Sequence, residues 1–125
     1  MKKLLVATAL MAFISAPFAM AAGNAKKIAD GKFLYEDWGC TACHGFGPKE
    51  PAKNADSGPD LQGLYSRRTS EWVKKFVKNP AAMLEAGDKH TVEMEKKYGK
   101  IMKTFRISDS EWDSILEYIK SRDKK

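Results

Sequence analysis

Apolar residues in this chain recur at spacings of three and four, with no convincing alternation of the kind a strand requires. Ile28, Gly31, Leu34, Tyr35 and Trp38 share one face, which predicts an amphipathic helix over residues 25 to 38. Near the other end, Trp112, Ile115, Leu116 and Ile119 follow the pattern i, i+3, i+4, i+7, and Ser108-Asp109-Ser110-Glu111 opens that segment as a capping box. Gly31 lies on the apolar face of the first helix. Glycine there costs roughly 1 kcal/mol against alanine, so close approach of another helix is the expected compensation. The C-terminal segment is the candidate neighbour.

The middle of the chain is less regular. Gly45, Gly47, Pro48, Pro51, Gly58, Pro59 and Gly63 crowd residues 45 to 63, which predicts irregular backbone wrapped around something. Thr69 can cap a helix that carries Trp72, Val73, Phe76 and Val77 on one face and stops at Asn79-Pro80. A second short helix is expected from Pro80 to Gly87, with Met83 on an apolar stretch where packing explains it. There are no internal repeats and no low-complexity linker. The fold class expected is all-α.

Between the first helix and the glycine-rich loop stands Cys40-Thr41-Ala42-Cys43-His44, the C-x-x-C-H pattern of covalent haem attachment. If the stretch is helical, positions i, i+3 and i+4 share a face, so both sulfurs and the imidazole meet the same flat object. The thiols of Cys40 and Cys43 would join the porphyrin vinyl groups as thioethers, and His44 would reach the iron from one side. Two other readings compete. A reversible C-x-x-C disulfide belongs with strand-helix alternation, which is not seen here. A zinc site would have to use all of Cys40, Cys43, His44 and His90, the only cysteines and histidines, at a poor spacing.

Residues 1–21 have a basic start at Lys2 and Lys3, an apolar run from Leu4 to Ile14 and the small-residue exit Ala19-Met20-Ala21. They read as a secretory signal peptide cut after Ala21, which leaves residues 22–125 as one domain of about 104 residues. The apolar run is too short for the roughly 20 residues that a bilayer span needs, so stable membrane insertion is not expected. Export with no cysteine outside the motif leaves no disulfide framework, and the compartment expected is the periplasm. Losing Lys2 and Lys3 lowers the formal charge from +6 to +4. The remaining lysines gather at 74, 75 and 78 and at 96, 97, 100 and 103, as a solvated face or a surface for an acidic protein partner. An exported chain without a recognisable module is not expected to bind nucleic acid.

These pieces together resemble a class I cytochrome c, the small monohaem family, over nearly all of residues 25 to 122. The resemblance is carried by the helix with Gly31 and Tyr35 before Cys40-Thr41-Ala42-Cys43-His44, by Gly58-Pro59-Asp60-Leu61-Gln62-Gly63-Leu64-Tyr65, by Arg67, and by the last helix with Trp112 and Tyr118. It implies the cytochrome c fold, in which the terminal helices cross and short helices and loops wrap one covalently bound haem c. It implies that the Pro59 carbonyl accepts a hydrogen bond from His44, orienting the imidazole and raising its donor strength. It also associates Arg67 and Trp72 with the haem propionates; a solvated surface position for Arg67 and a core position for Trp72 are the alternatives. The sixth ligand implied is Met102, although Lys103 follows it where the family usually has proline, and Met94 and His90 compete.

With both axial positions filled by protein, such an iron changes oxidation state without offering a vacancy. The function implied is a soluble electron carrier, not an enzyme; its redox donor and acceptor are expected to offer an acidic docking face to the clustered lysines, and the haem-attachment machinery is the expected partner during maturation. The alternatives are a haem subunit of a larger dehydrogenase or oxidase and a five-coordinate gas-binding protein.

Overall fold

The computed structural model describes residues 16–123. The basic start and apolar run of the expected signal peptide lie outside the described residues, as do Lys124 and Lys125. Six α-helices follow one another among the described residues, with no strand: α1 (Ala16–Asp37), α2 (Leu64–Arg67), α3 (Ser70–Lys78), α4 (Pro80–Glu85), α5 (Lys89–Tyr98) and α6 (Asp109–Arg122). None is long and apolar enough to cross a membrane.

α1 starts well before residue 25 and runs through the expected cut after Ala21. Its early part is rich in alanine, the best helix former. Gly39, at φ 72°, ends the helical path in the left-handed region. α6 begins as expected: the Ser108 side chain and the Glu111 backbone N–H are paired, and the Glu111 carboxylate accepts from the Ser108 N–H at 2.9 Å.

α1 and α6 cross at Gly31. A Cβ on Gly31 would run into the carbonyl group of Ser114 and lie 3.0 Å from Cβ of Tyr118, so only glycine lets the two backbones meet. The core gathers around that crossing: Tyr35 and Ile115 are 2% and 1% exposed, and Trp112, Leu116, Tyr118 and Ile119 are buried beside them. Tyr35, Phe46 and Tyr118 form a three-ring cluster with centroids 5.5 to 5.7 Å apart. α3 adds Val73, Phe76 and Val77, and α4 adds Met83.

The α3 cap at Thr69 accepts from the Trp72 N–H at 3.2 Å. Lys74 and Lys78, one helical turn apart, reach Asp113 at 2.7 Å and Asp109 at 2.8 Å on α6. Both pairs are exposed, so they add little to stability. They take two lysines out of the surface available to a partner.

α5 is the helix that periodicity did not reveal. Its sequence is mostly charged, so its apolar stripe is thin, but its ends are marked. Asp88 caps it by accepting from the Thr91 N–H at 2.9 Å and the Thr91 hydroxyl at 2.8 Å, and Gly99 closes it at φ 68°. Thr91 is fully buried, and its hydroxyl is satisfied by that cap.

Replacing Gly31 with alanine tests the crossing. Helix propensity alone would make Gly31→Ala stabilising, but forcing a methyl group between two backbones typically costs about 1–3 kcal/mol. A lower thermal midpoint is expected, and an unchanged or raised one would mean that the helices separate without strain.

Candidate functional site

The C-x-x-C-H residues leave α1 through Gly39 into a single tight turn, Cys40–Ala42, of 3-10 type. Both Cys43 N–H (3.2 Å) and His44 N–H (3.0 Å) donate to the Cys40 carbonyl, so the i, i+3 and i+4 positions are gathered within one helical turn. Cys40 and Cys43 are free thiols. Burial pushes the Cys40 thiol up to about 11. That is the opposite of the depressed thiol pKa on which a redox-active C-x-x-C depends. Among the described residues no group of three or more His, Cys, Asp or Glu is placed to hold a metal ion.

His44 is oriented by the glycine-rich loop. Its Nδ1 lies 2.8 Å from the carbonyl oxygen of Pro59. A carbonyl can only accept, so the proton sits on Nδ1, and the neutral ring keeps its lone pair on Nε2. Burial lowers the pKa of His44, opposed by the Pro59 hydrogen bond and the charge of Asp60. The ring is packed from one side by backbone: a Cβ on Gly58 would lie 3.0 Å from His44 Cε1 and 3.0 Å from the Cys43 carbonyl oxygen. From below, the buried Tyr35 hydroxyl donates to the His44 carbonyl at 3.1 Å.

The loop itself is held by individual hydrogen bonds. Phe46 N–H donates to Glu50 O at 2.8 Å, Leu61 N–H to Gly45 O at 2.9 Å, and Lys53 and Asn54 N–H to Thr41 and Ala42 O at 3.0 Å. Asp60 accepts from Gly47 N–H at 2.7 Å and from Gln62 N–H at 2.8 Å. Arg67 donates to Gln62 O at 2.6 Å and to Asp60 O at 2.8 Å, spending two N–H groups on the turn beside Pro59. The indole N–H of Trp72 donates to Asp88 at 3.1 Å, while its ring stacks on Phe76 at 5.1 Å and lies under the Arg68 guanidinium. Burial alone would raise the pKa of Asp88, but the hydrogen bonds from Thr91 and Trp72 outweigh it and hold the carboxyl below its usual value.

The candidate sixth ligands fall on α5 and on the segment that follows it. Met102 is half-buried on the irregular segment between α5 and α6, where Ile101, Phe105 and Ile107 also pack on the core. Met94 is half-buried on α5, and Met83 is 5% exposed inside the core. His90 stands edge-on to Trp72 at 5.8 Å, with Nδ1 3.8 Å from Glu93.

These residues fit a haem. One imidazole presents Nε2, two thiols share its turn, a glycine makes room beside the ring, and a set of apolar side chains that includes Trp38, Leu64, Ile101 and Met102 is left half-buried. The family model described as cytochrome c matches residues 28–123.

The chain belongs to the cytochrome c family.

It is accordingly a haem c electron-transfer protein, with the all-α fold of that family. Solved structures agree on the fold. Cytochrome c from Rhodothermus marinus is 24% identical with a TM-score of 0.67, covering 80% of this chain and 79% of its own. An engineered form of that cytochrome is 21% identical with a TM-score of 0.68, covering 98% and 92%. The cytochrome c domain of a Pseudomonas putida protein is 26% identical with a TM-score of 0.61, covering 74% and 87%. Comparison with curated protein sequences finds no significant match.

The buried Tyr35 hydroxyl gives a pH test of the floor under His44. Burial raises its pKa far above the ordinary 10.0, so the unfolded chain loses this proton first as pH rises. The contribution of this hydroxyl to stability is whole below pH 10 and is lost as pH rises above it. Tyr35→Phe is expected to cost about 1 kcal/mol at neutral pH and to flatten the alkaline loss in denaturant titrations, whereas parallel curves would show that Tyr35 stays clear of the titration.

Proposed function

We propose that this cytochrome is a soluble periplasmic electron carrier, with one haem c joined to Cys40 and Cys43 and ligated by His44 and Met102. The observation that supports this reading is the 2.8 Å contact from His44 Nδ1 to the Pro59 carbonyl, which leaves the lone pair of the other ring nitrogen available to a metal. Haem c supplies a one-electron couple between Fe(II) and Fe(III). The chain's part is to fix the donors and to exclude water. Pro59 holds the His44 tautomer and makes the imidazole a stronger donor. A thioether from Met102 is soft and uncharged, which favours the ferrous state and raises the potential over that given by a second histidine. Arg67 and Trp72 serve the reading as supports: Arg67 braces the Pro59 turn, and Trp72 fastens α3 to the start of α5. Periplasmic location rests on the signal-like residues 1–21 alone, and export there would bring the chain to the haem-attachment machinery.

Optical spectra of the purified holoprotein test the ligand set. Met102→Ala should abolish the weak long-wavelength sulfur-to-iron band of the oxidised form and lower the potential, while Met94→Ala should leave both alone. The reverse result would move the ligand to α5.

The partner surface follows from charge. Lys96, Lys97, Lys100 and Lys103 are exposed on either side of Gly99, and among the described residues no carboxylate pairs with them. Solvated lysines steer an acidic partner over about 8 Å at physiological salt and add little lasting affinity, which suits brief encounters. Electron-transfer rates should fall with added salt. Charge reversal at these four positions should slow association more than reversal of Lys74 or Lys78, which α6 already neutralises; equal effects would make the four lysines a solubilising surface only.

A further inference from the structure

The last turn of α6 reaches back to the loop that orients His44. The Asp123 carboxylate accepts from Gly63 N–H at 2.6 Å and from Tyr65 N–H at 3.2 Å, and the Tyr65 hydroxyl returns to Leu116 O at 3.4 Å. Next to it, the Arg122 guanidinium lies 5.1 Å over the Phe46 ring and is ion-paired with Glu50. Gly63 is at φ 70° and opens α2, so its N–H has no helical partner and takes one from the distant carboxylate. A charge-assisted bond of this kind is roughly twice as strong as a neutral one.

From Asp123 the contacts continue without a gap. The N–H next before Gly63, that of Gln62, is bound by Asp60, the Gln62 and Asp60 carbonyls are bound by Arg67, and Pro59 precedes Asp60 and accepts from His44. The turn is thus gripped by a carboxylate from its own sequence and by one from the far end of the chain.

We propose that Asp123 is a positioning residue for His44, holding the Pro59 carbonyl against Nδ1 by clamping the 59–65 turn to the end of α6. The proposal rests on ligation by His44. A firm Nδ1–H···O bond makes the imidazole more basic and favours ferric iron. Loosening the clamp weakens that bond, so the potential rises.

The test uses the full-length, nitrogen-15-labelled holoprotein in its reduced form. Strong ring-current displacement of the His44 ring signals reports ligation by itself. Ordinary shifts in the unsubstituted protein would overturn His44 as ligand, and this proposal with it, before any variant is made. With ligation established, Asp123→Ala should speed exchange of Gly63 N–H, Tyr65 N–H and His44 Nδ1–H by about tenfold or more, as expected for one lost charge-assisted hydrogen bond, and leave Ile115 N–H protected. Its potential should rise. Asp123→Asn loses the same charge but keeps an acceptor oxygen, so its exchange rates and potential should fall between those of the parent and Asp123→Ala. Asp113→Ala, on the α6 face that meets Lys74, should leave His44 Nδ1–H unchanged.

The proposal is overturned if His44 Nδ1–H stays protected while Gly63 and Tyr65 open. It is overturned equally if Ile115 opens in step with them, or if the Asn and Ala variants have the same potential. Should Asp123→Ala fail to hold haem, Asp123→Asn decides the matter by whether His44 Nδ1–H opens together with Tyr65 N–H.

Discussion

Where α1 and α6 cross, Gly31 allows helix backbone to meet helix backbone, and the surroundings of His44 are arranged around that contact. The crossing puts Tyr35 and Tyr118 on the same side of the joint, where their rings receive Phe46 from the loop. Tyr35 then supports the His44 carbonyl from inside the core. A side chain at position 31 would spread the helices, withdraw the floor beneath the motif and free the loop that covers it. Glycine's intrinsic cost of about 1 kcal/mol in a helix is small beside the apolar burial that close approach permits, at about 1.5–3 kcal/mol for each large side chain fully buried.

The loop from Gly45 to Gly63 has no regular structure to satisfy its backbone, so its rigidity has to come from individual hydrogen bonds. Side chains supply many of them. Asp60, Arg67 and Asp123 take up amide or carbonyl groups that a helix would have paired internally. A buried backbone group left alone costs about 1–3 kcal/mol, which exceeds what most of these bonds contribute when made. The effect of such a network is therefore on the uniqueness of the turn more than on net stability, and on the proposed ligation by His44 uniqueness is what its support would supply.

The sequence made some of this legible and left the rest hidden for identifiable reasons. Gly31 could be read because a glycine on an apolar helical face demands a close neighbour, and the capping box at Ser108 because its chemistry is local. The C-x-x-C-H pattern and the Gly-Pro pair are short motifs, so they too survive without tertiary information. α5 escaped because charge hides its stripe, though Asp88 and Gly99 marked its ends. The bonds of Arg67 to loop carbonyls and of Trp72 to Asp88 join groups whose pairing no period or spacing predicts. Asp123 was out of reach altogether, since its partner amide is 60 positions away.

That separation bears on the order of events as the protein is made. Contacts so far apart along the chain form late, because the intervening segment must be confined before they return anything. The turn from Cys40 to His44 needs only neighbouring residues, whereas the clamp on the 59–65 turn waits for the final residues of α6. A chain that emerges N-terminus first can therefore form the turn that carries its two thiols and its imidazole while α6 is still absent. On the proposed attachment at Cys40 and Cys43, haem joined during that interval would meet a formed turn and an open 59–65 segment, and the arrival of the C-terminus would close the door behind it.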